Sequence, residues 1–184
     1  MNLLYPKFPL NRWPVMLGIA GLGAVIAGLY GIVHDQITYT ISPVYFTRLK
    51  FKQFHYADFG LPLRVFVGEI GFLATWWVGL VAGWVLARVT APHAEPRRVL
   101  ALSLRGFAII IGFAVAGAAI TFAYDVLRTP DPESSRFAKF AHRIGVNDIP
   151  AFTRVACIHN ASYLAGFLGV ITAGILSSRK VRSV

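Results

Sequence analysis

The stretch WPVMLGIAGLGAVIAGLYGIV, residues 13–33, decides the fold, because it is a long apolar run without one charged side chain. A helix needs about 20 such residues to cross the hydrocarbon core of a bilayer. The run is also longer than the apolar core of a secretory signal peptide. It therefore predicts a transmembrane helix that stays in the protein.

Three further apolar runs follow, at about residues 65–87, 99–124 and 155–177. Of the 184 residues, 56% are hydrophobic and only 14% are charged, whereas soluble domains have about 25% charged residues. Because charges are costly at the bilayer centre, they should collect in the connections. The sequence predicts one all-α integral membrane domain, residues 1–184, folded as an antiparallel bundle of four transmembrane helices.

The first long connection, residues 34–64, contains two segments with the pattern of β-strands. ITYTI (37–41) and YFTRLKFKQF (45–54) both alternate apolar with polar or aromatic residues, which is typical of strands. Ser42 and Pro43 lie between them as a turn signal. We expect a small β-hairpin-like cap over one end of the bundle.

The second long connection, residues 125–154, contains the stretch SSRFAKFAHRIG (134–145). Its apolar side chains would share one helical face, with basic side chains on the other. This pattern predicts a short amphipathic helix in the membrane interface. Gly145 would end that helix.

The short connection, residues 88–98, carries two prolines and indicates a tight turn. With four crossings, both termini lie on the same side as this turn. The 18 Lys and Arg residues divide equally between the two sides, but the turn side has shorter segments and a higher basic density near helix ends. We therefore predict a cytoplasmic (inner) membrane of the bacterial type, with both termini in the cytoplasm and the long connections outside.

The charge and the single cysteine limit the possible partners. The net charge of +10 suits anionic lipid headgroups, and basic residues flanking membrane helices explain it without a nucleic acid. We expect the bilayer as the main partner, with partner subunits or a second copy of the chain as further possibilities. Cys157 is alone, so an intrachain disulfide and a CxxC motif are excluded.

Small residues recur at intervals of four in the first and fourth runs and predict close helix packing. They are Ala20, Ala24 and Gly28 together with Gly23, Ala27 and Gly31 in the first run, and Ala161, Ala165, Gly169 and Ala173 in the fourth.

Polar residues occur where each run meets the outer side of the membrane. Because the helices alternate in direction, these positions fall at one side and at a similar depth. Two imidazoles and three carboxylates are ligands suited to zinc, iron, manganese or copper, and buried acids in a membrane need a partner. The predicted metal ligands, from all four helices, are His34, Asp35, Glu69, Asp125 and His159.

Further roles follow from the same hypothesis. Gln36, Asn160 and Tyr163 are predicted to orient the ligands through hydrogen bonds. In an enzyme whose metal activates water, Glu69 or Asp125 would act as general base.

Several alternatives stay open, because no HExxH or Glu-x-x-His motif occurs. The same residues could serve packing alone, with Glu69 paired with Arg64 and Asp125 paired with Arg128. His34 and His159 could instead be the axial ligands of a b-type haem, or part of a quinone site. The chain could also be a non-catalytic subunit of a larger membrane complex.

Overall fold

The computed structural model describes residues 10–182, and within that range the chain is helical and contains no strand. The termini, residues 1–9 and 183–184, for which we predict a cytoplasmic location, lie outside the described residues. The main helices are α1 (Trp13–Ile41), α2 (Leu63–Thr90), α3 (Pro96–Arg128), α4 (Ala138–Arg143) and α5 (Ile149–Arg182).

The prediction of four long apolar helices is confirmed. α1, α2, α3 and α5 are each long and apolar enough to cross a bilayer, which is consistent with an integral membrane protein. α1 runs beyond the apolar stretch at 13–33 and ends at Ile41. This extension is buried at Asp35, Thr38 and Tyr39, so these three residues lie inside the protein on a helix and not in a loop.

The prediction of a β-hairpin-like cap is wrong. Residues 37–41 finish α1, and residues 43–53 form three short consecutive helices, Pro43–Tyr45, Phe46–Lys50 and Phe51–Gln53. The middle one is a π-helix. Ser42 is extended and Pro43 begins the next helix, so the turn signal separates two helices and not two strands.

The helical turn at residues 43–53, here called the cap segment, covers the end of the bundle where α1 stops and α5 starts. Its aromatic rings pack on α1, since the ring centroids of Tyr39 and Phe46 are 5.3 Å apart. They also pack on α5, where Tyr45 lies 5.2 Å from Phe152. Tyr45, Phe46 and Phe152 are all buried. The alternating aromatic pattern thus reflects this shared core, which a compact helical turn supplies as well as a strand would.

The second long connection contains a helix where the sequence predicts one. α4 has six residues, Ala138 and Ala141 are its buried positions, and Gly145 follows it with a φ of 70°. Phe140 is 38% exposed, so the alanines rather than this phenylalanine make the inner face. Placement of α4 in a membrane interface stays a prediction.

The long helices pack most closely in two pairs, α1 with α2 and α3 with α5. Gly23 of α1 lies against Gly79 of α2, and Gly31 lies against Gly71, so residue numbers rise along one helix as they fall along the other. Glycine removes the side chain that would keep the backbones apart. The Thr75 hydroxyl joins the pair by donating to the Ala27 carbonyl at 2.7 Å.

We expect Gly31→Ala to destabilise the protein by about 1–3 kcal/mol, the usual cost of overpacking, because the new Cβ would collide with the Gly71 carbonyl. Gly18→Ala is the matched control, since nothing lies within 4 Å of a Cβ at that position of the same helix. Chemical unfolding in detergent micelles measures both. Equal effects of the two substitutions would contradict the close α1–α2 contact.

Candidate metal centre

Three of the predicted ligands come together beneath the cap segment. His34 and Asp35 lie in the extension of α1, and His159 lies on α5. One ligand atom from each residue lies within 4.8 Å of the others. Asp35 is 3% exposed and His159 is 2% exposed. A carboxyl group and two imidazoles therefore share one largely buried position between α1 and α5.

The orientation of the His159 ring is fixed by its own helix. Its Nδ1 lies 3.0 Å from the Val155 carbonyl oxygen, and because a carbonyl can only accept, Nδ1 must carry a hydrogen and donate it. Tyr45 of the cap segment stacks on the ring with centroids 5.0 Å apart. The other nitrogen, Nε2, is thereby aimed at Asp35, whose Oδ1 is 3.1 Å away.

His34 is held by a hydroxyl chain that crosses from α1 to α5. Its Nδ1 lies 3.4 Å from the Tyr30 hydroxyl, which lies 2.8 Å from the Ser162 hydroxyl. Its other nitrogen, Nε2, is buried without a hydrogen-bond partner, and so is Oδ2 of Asp35. Each unsatisfied buried polar atom costs about 1–3 kcal/mol, so this cluster is incomplete as a packing arrangement.

The cluster can hold either a proton or a metal ion. Since Nδ1 of His159 already carries a hydrogen, the contact between its Nε2 and Asp35 needs one more proton shared by the pair. A divalent ion would replace that proton and would give the partnerless atoms of His34 and Asp35 something to bind. Second hydrogen bonds that fix the imidazole, as Val155 and Tyr30 do here, are typical of histidine ligands.

The cap segment supplies a cation that the sequence analysis did not identify. Lys50 is only 6% exposed and belongs to the π-helix Phe46–Lys50. Burial lowers the pKa of its ammonium group below the usual value, while the charge of Asp35 acts to raise it. Within a strand-like pattern Lys50 resembles a solvated residue, and only the π-helical turn, a feature common near functional sites, brings it inside.

Glu69 and Asp125, the other two predicted ligands, are not brought to this cluster. Arg154 donates from Nε to Oδ2 of Asp125, so Asp125 is paired, though not with Arg128. Glu69 lines a separate groove beside Gln36 and Arg64, where its Oε2 is buried without a partner. Among the described residues, the group of possible ligand atoms therefore comes from three residues on two helices, and the general-base role of Glu69 or Asp125 stays a prediction.

Of the three residues predicted to orient the ligands, Tyr163 contacts the cluster. The Tyr163 ring meets the His159 ring edge-on, with centroids 6.0 Å apart. Gln36 instead faces Arg64, donating to its carbonyl at 2.6 Å. The side chain of Asn160 makes no hydrogen bond within the described part of the chain. The groups that orient the ligands are Tyr30, Ser162 and the Val155 carbonyl, and a backbone carbonyl has no sequence signal of its own.

Comparisons with protein-family models, with curated proteins and with solved structures gave no match to this chain. The candidate site therefore stands on its geometry alone.

We expect Asp125 and Arg154 to be energetically coupled by about 1 kcal/mol, as for a partly exposed ion pair. A double-mutant cycle with Asp125→Asn and Arg154→Gln, read by chemical unfolding, measures this coupling. The same cycle with Arg128→Gln is the control, and its coupling should be near zero. Coupling to Arg128 instead of Arg154 would show that α3 and α5 meet differently at this end.

Proposed function

We propose that the chain is an integral membrane protein that binds a divalent transition metal through His34, Asp35 and His159. One observation carries the proposal: His34 Nε2 and Asp35 Oδ2 are buried and partnerless in a cluster whose ligand atoms approach within 4.8 Å. Natural proteins rarely leave such atoms unsatisfied. A bound cation would satisfy both of them and would replace the proton shared by Asp35 and His159.

The donor set limits the choice of metal. Neutral imidazole and carboxylate suit zinc, iron, manganese or copper(II). Two histidines and one carboxylate leave coordination positions open, as in iron(II) oxygenases and in zinc sites that bind water. The arrangement is compatible with a metal-dependent enzyme or with a metal-handling protein. Burial under Tyr45 and Phe46 favours a sequestered ion.

The haem alternative receives less support from the geometry. The rings of His34 and His159 contact each other edge to face, with centroids 4.8 Å apart. A haem with two axial histidines needs its porphyrin between the two imidazoles, so α1 and α5 would have to separate. The ligand atoms lie within 4.8 Å of one another, close enough for a single ion to reach all three with little movement.

Placement in a bilayer is part of the proposal and is supported by the outer helix faces. Leu29, Val33 and Ile37 of α1 are each more than half exposed, a stripe that lipid would cover at lower cost than water. In this arrangement the four helices cross as an antiparallel bundle. The connection Ala91–Glu95 and its flanking arginines would face the cytoplasm by the positive-inside rule, and the metal site would face outside.

Metal analysis of detergent-purified protein tests the proposal. We expect near-stoichiometric metal in the wild type and loss of most of it in His34→Ala, Asp35→Asn and His159→Ala. Glu69→Gln and Asp125→Asn are matched controls and should keep the metal, because Glu69 lines a separate groove and Asp125 is paired with Arg154. An absorbance scan of the same samples reports haem.

Retention of metal in the three cluster variants would place any metal elsewhere. Loss of metal in the Glu69 and Asp125 variants alone would instead support a metal site that includes these two carboxylates. A metal-free wild type, purified without chelators, would favour a packing role in a non-catalytic subunit of a larger membrane complex.

Lys50 should weaken metal binding, because its positive charge acts on the same carboxylate that the metal needs. We expect Lys50→Gln to raise metal affinity roughly tenfold, the effect of removing one nearby like charge. Lys139→Gln removes an exposed lysine of α4 and should leave the affinity unchanged. Titration with a competing chelator measures both. Weaker binding by Lys50→Gln would instead identify the Lys50 amine as a ligand.

A further inference from the structure

A groove of about 320 Å³ lies between α3 and α5, toward the end of the bundle opposite the metal cluster. α3 and α5 contribute one arginine each, at positions 105 and 179. None of the residues that line the groove is acidic. They are Leu102, Arg105, Ile109, Leu176, Ser177, Arg179 and Lys180.

Arg105 is in an unusual position for a charged side chain. It lies more than two turns into α3, roughly 13 Å along the axis from Pro96. That helix is one of the four long enough and apolar enough to cross a bilayer. The ion pairs found within residues 10–182 involve neither Arg105 nor Arg179. Because a charged side chain at such a depth is costly unless it reaches the headgroup region or is paired, an anionic headgroup would stabilise Arg105 there.

The groove has the character of an amphiphile site. Leu102, Ile109 and Leu176 give it an apolar lining, and two of its cationic side chains, Arg179 and Lys180, lie near the end of α5. The ends of the two helices are tied together there, since Arg98 Nη2 donates to the Lys180 carbonyl at 2.9 Å. Basic pockets between membrane helices on the cytoplasmic side are suited to anionic lipid headgroups.

We propose that this groove binds one anionic phospholipid, with its phosphate between Arg105 and Arg179 and its acyl chains running past Ile109 toward the membrane centre. The Ser177 hydroxyl would add a neutral donor to the headgroup. The apolar lining favours a lipid over free phosphate, because free phosphate has no apolar part to bury against it. This inference rests on the proposed bilayer placement and is independent of the metal.

Native mass spectrometry of the full chain, exchanged from phosphatidylcholine into phosphatidylglycerol nanodiscs, tests it. We expect the wild type to retain one phosphatidylglycerol in preference to phosphatidylcholine. Arg105→Gln with Arg179→Gln should weaken this binding by about thirtyfold, the loss of two charge contacts. The control removes the same charge at the other end through Arg128→Gln with Arg143→Gln, both exposed.

A specific lipid site and a general effect of positive charge give different results in this experiment. Equal losses in the two double variants would reduce the effect to overall charge and overturn the proposal. Absence of selectivity for phosphatidylglycerol in the wild type would also overturn it. Competition by inorganic phosphate as effective as that by the lipid would identify free phosphate as the ligand. Metal content of the same samples reports the metal site separately, so failure of one proposal leaves the other standing.

Discussion

The contact between Asp35 on α1 and His159 on α5 is the constraint on which the candidate site depends. It joins the two closely packed helix pairs, because α1 belongs with α2 and α5 with α3. The hydrogen bond that Nδ1 of His159 donates to the Val155 carbonyl leaves Nε2 to face Asp35. A buried carboxyl and a buried imidazole fix each other only when a proton or a metal lies between them. The proton or metal ion between Asp35 and His159 therefore also affects how the two helix pairs are held together.

The sequence was sufficient for the four long helices, because their apolar runs are much longer than a strand or a signal peptide would need. It failed at residues 37–54, where the period of alternating aromatic residues indicated strands. Tyr39, Tyr45 and Phe46 share a core with Phe152, which is more than a hundred positions away in the chain. Such a core decides the local structure by tertiary packing, and local periodicity does not record it.

The sequence predicted some residues of the candidate site, but it did not predict the whole set. His34, Asp35 and His159 stand out because they are polar residues at the edges of apolar runs, and they do meet. Equal depth also suggested Glu69 and Asp125, but depth does not fix the direction of a side chain around a helix. Asp125 meets Arg154, and Glu69 faces a groove beside Gln36. Lys50 was missed because a π-helical turn, which has no simple sequence signature, carries it inward.

The electrostatics of the two ends differ in a way that bears on both proposals. At the cluster, the proton shared by Asp35 and His159 and the buried amine of Lys50 both compete with a metal ion for the Asp35 carboxylate. A divalent metal must therefore displace a proton, or Lys50 must lose its charge, before the site gains a net attraction. At the opposite groove the lining contains only basic charges, and an anion is attracted without any displacement. Metal binding at the first site is thus expected to depend on the loss of a positive charge, whereas the groove should fill wherever anionic lipid is present.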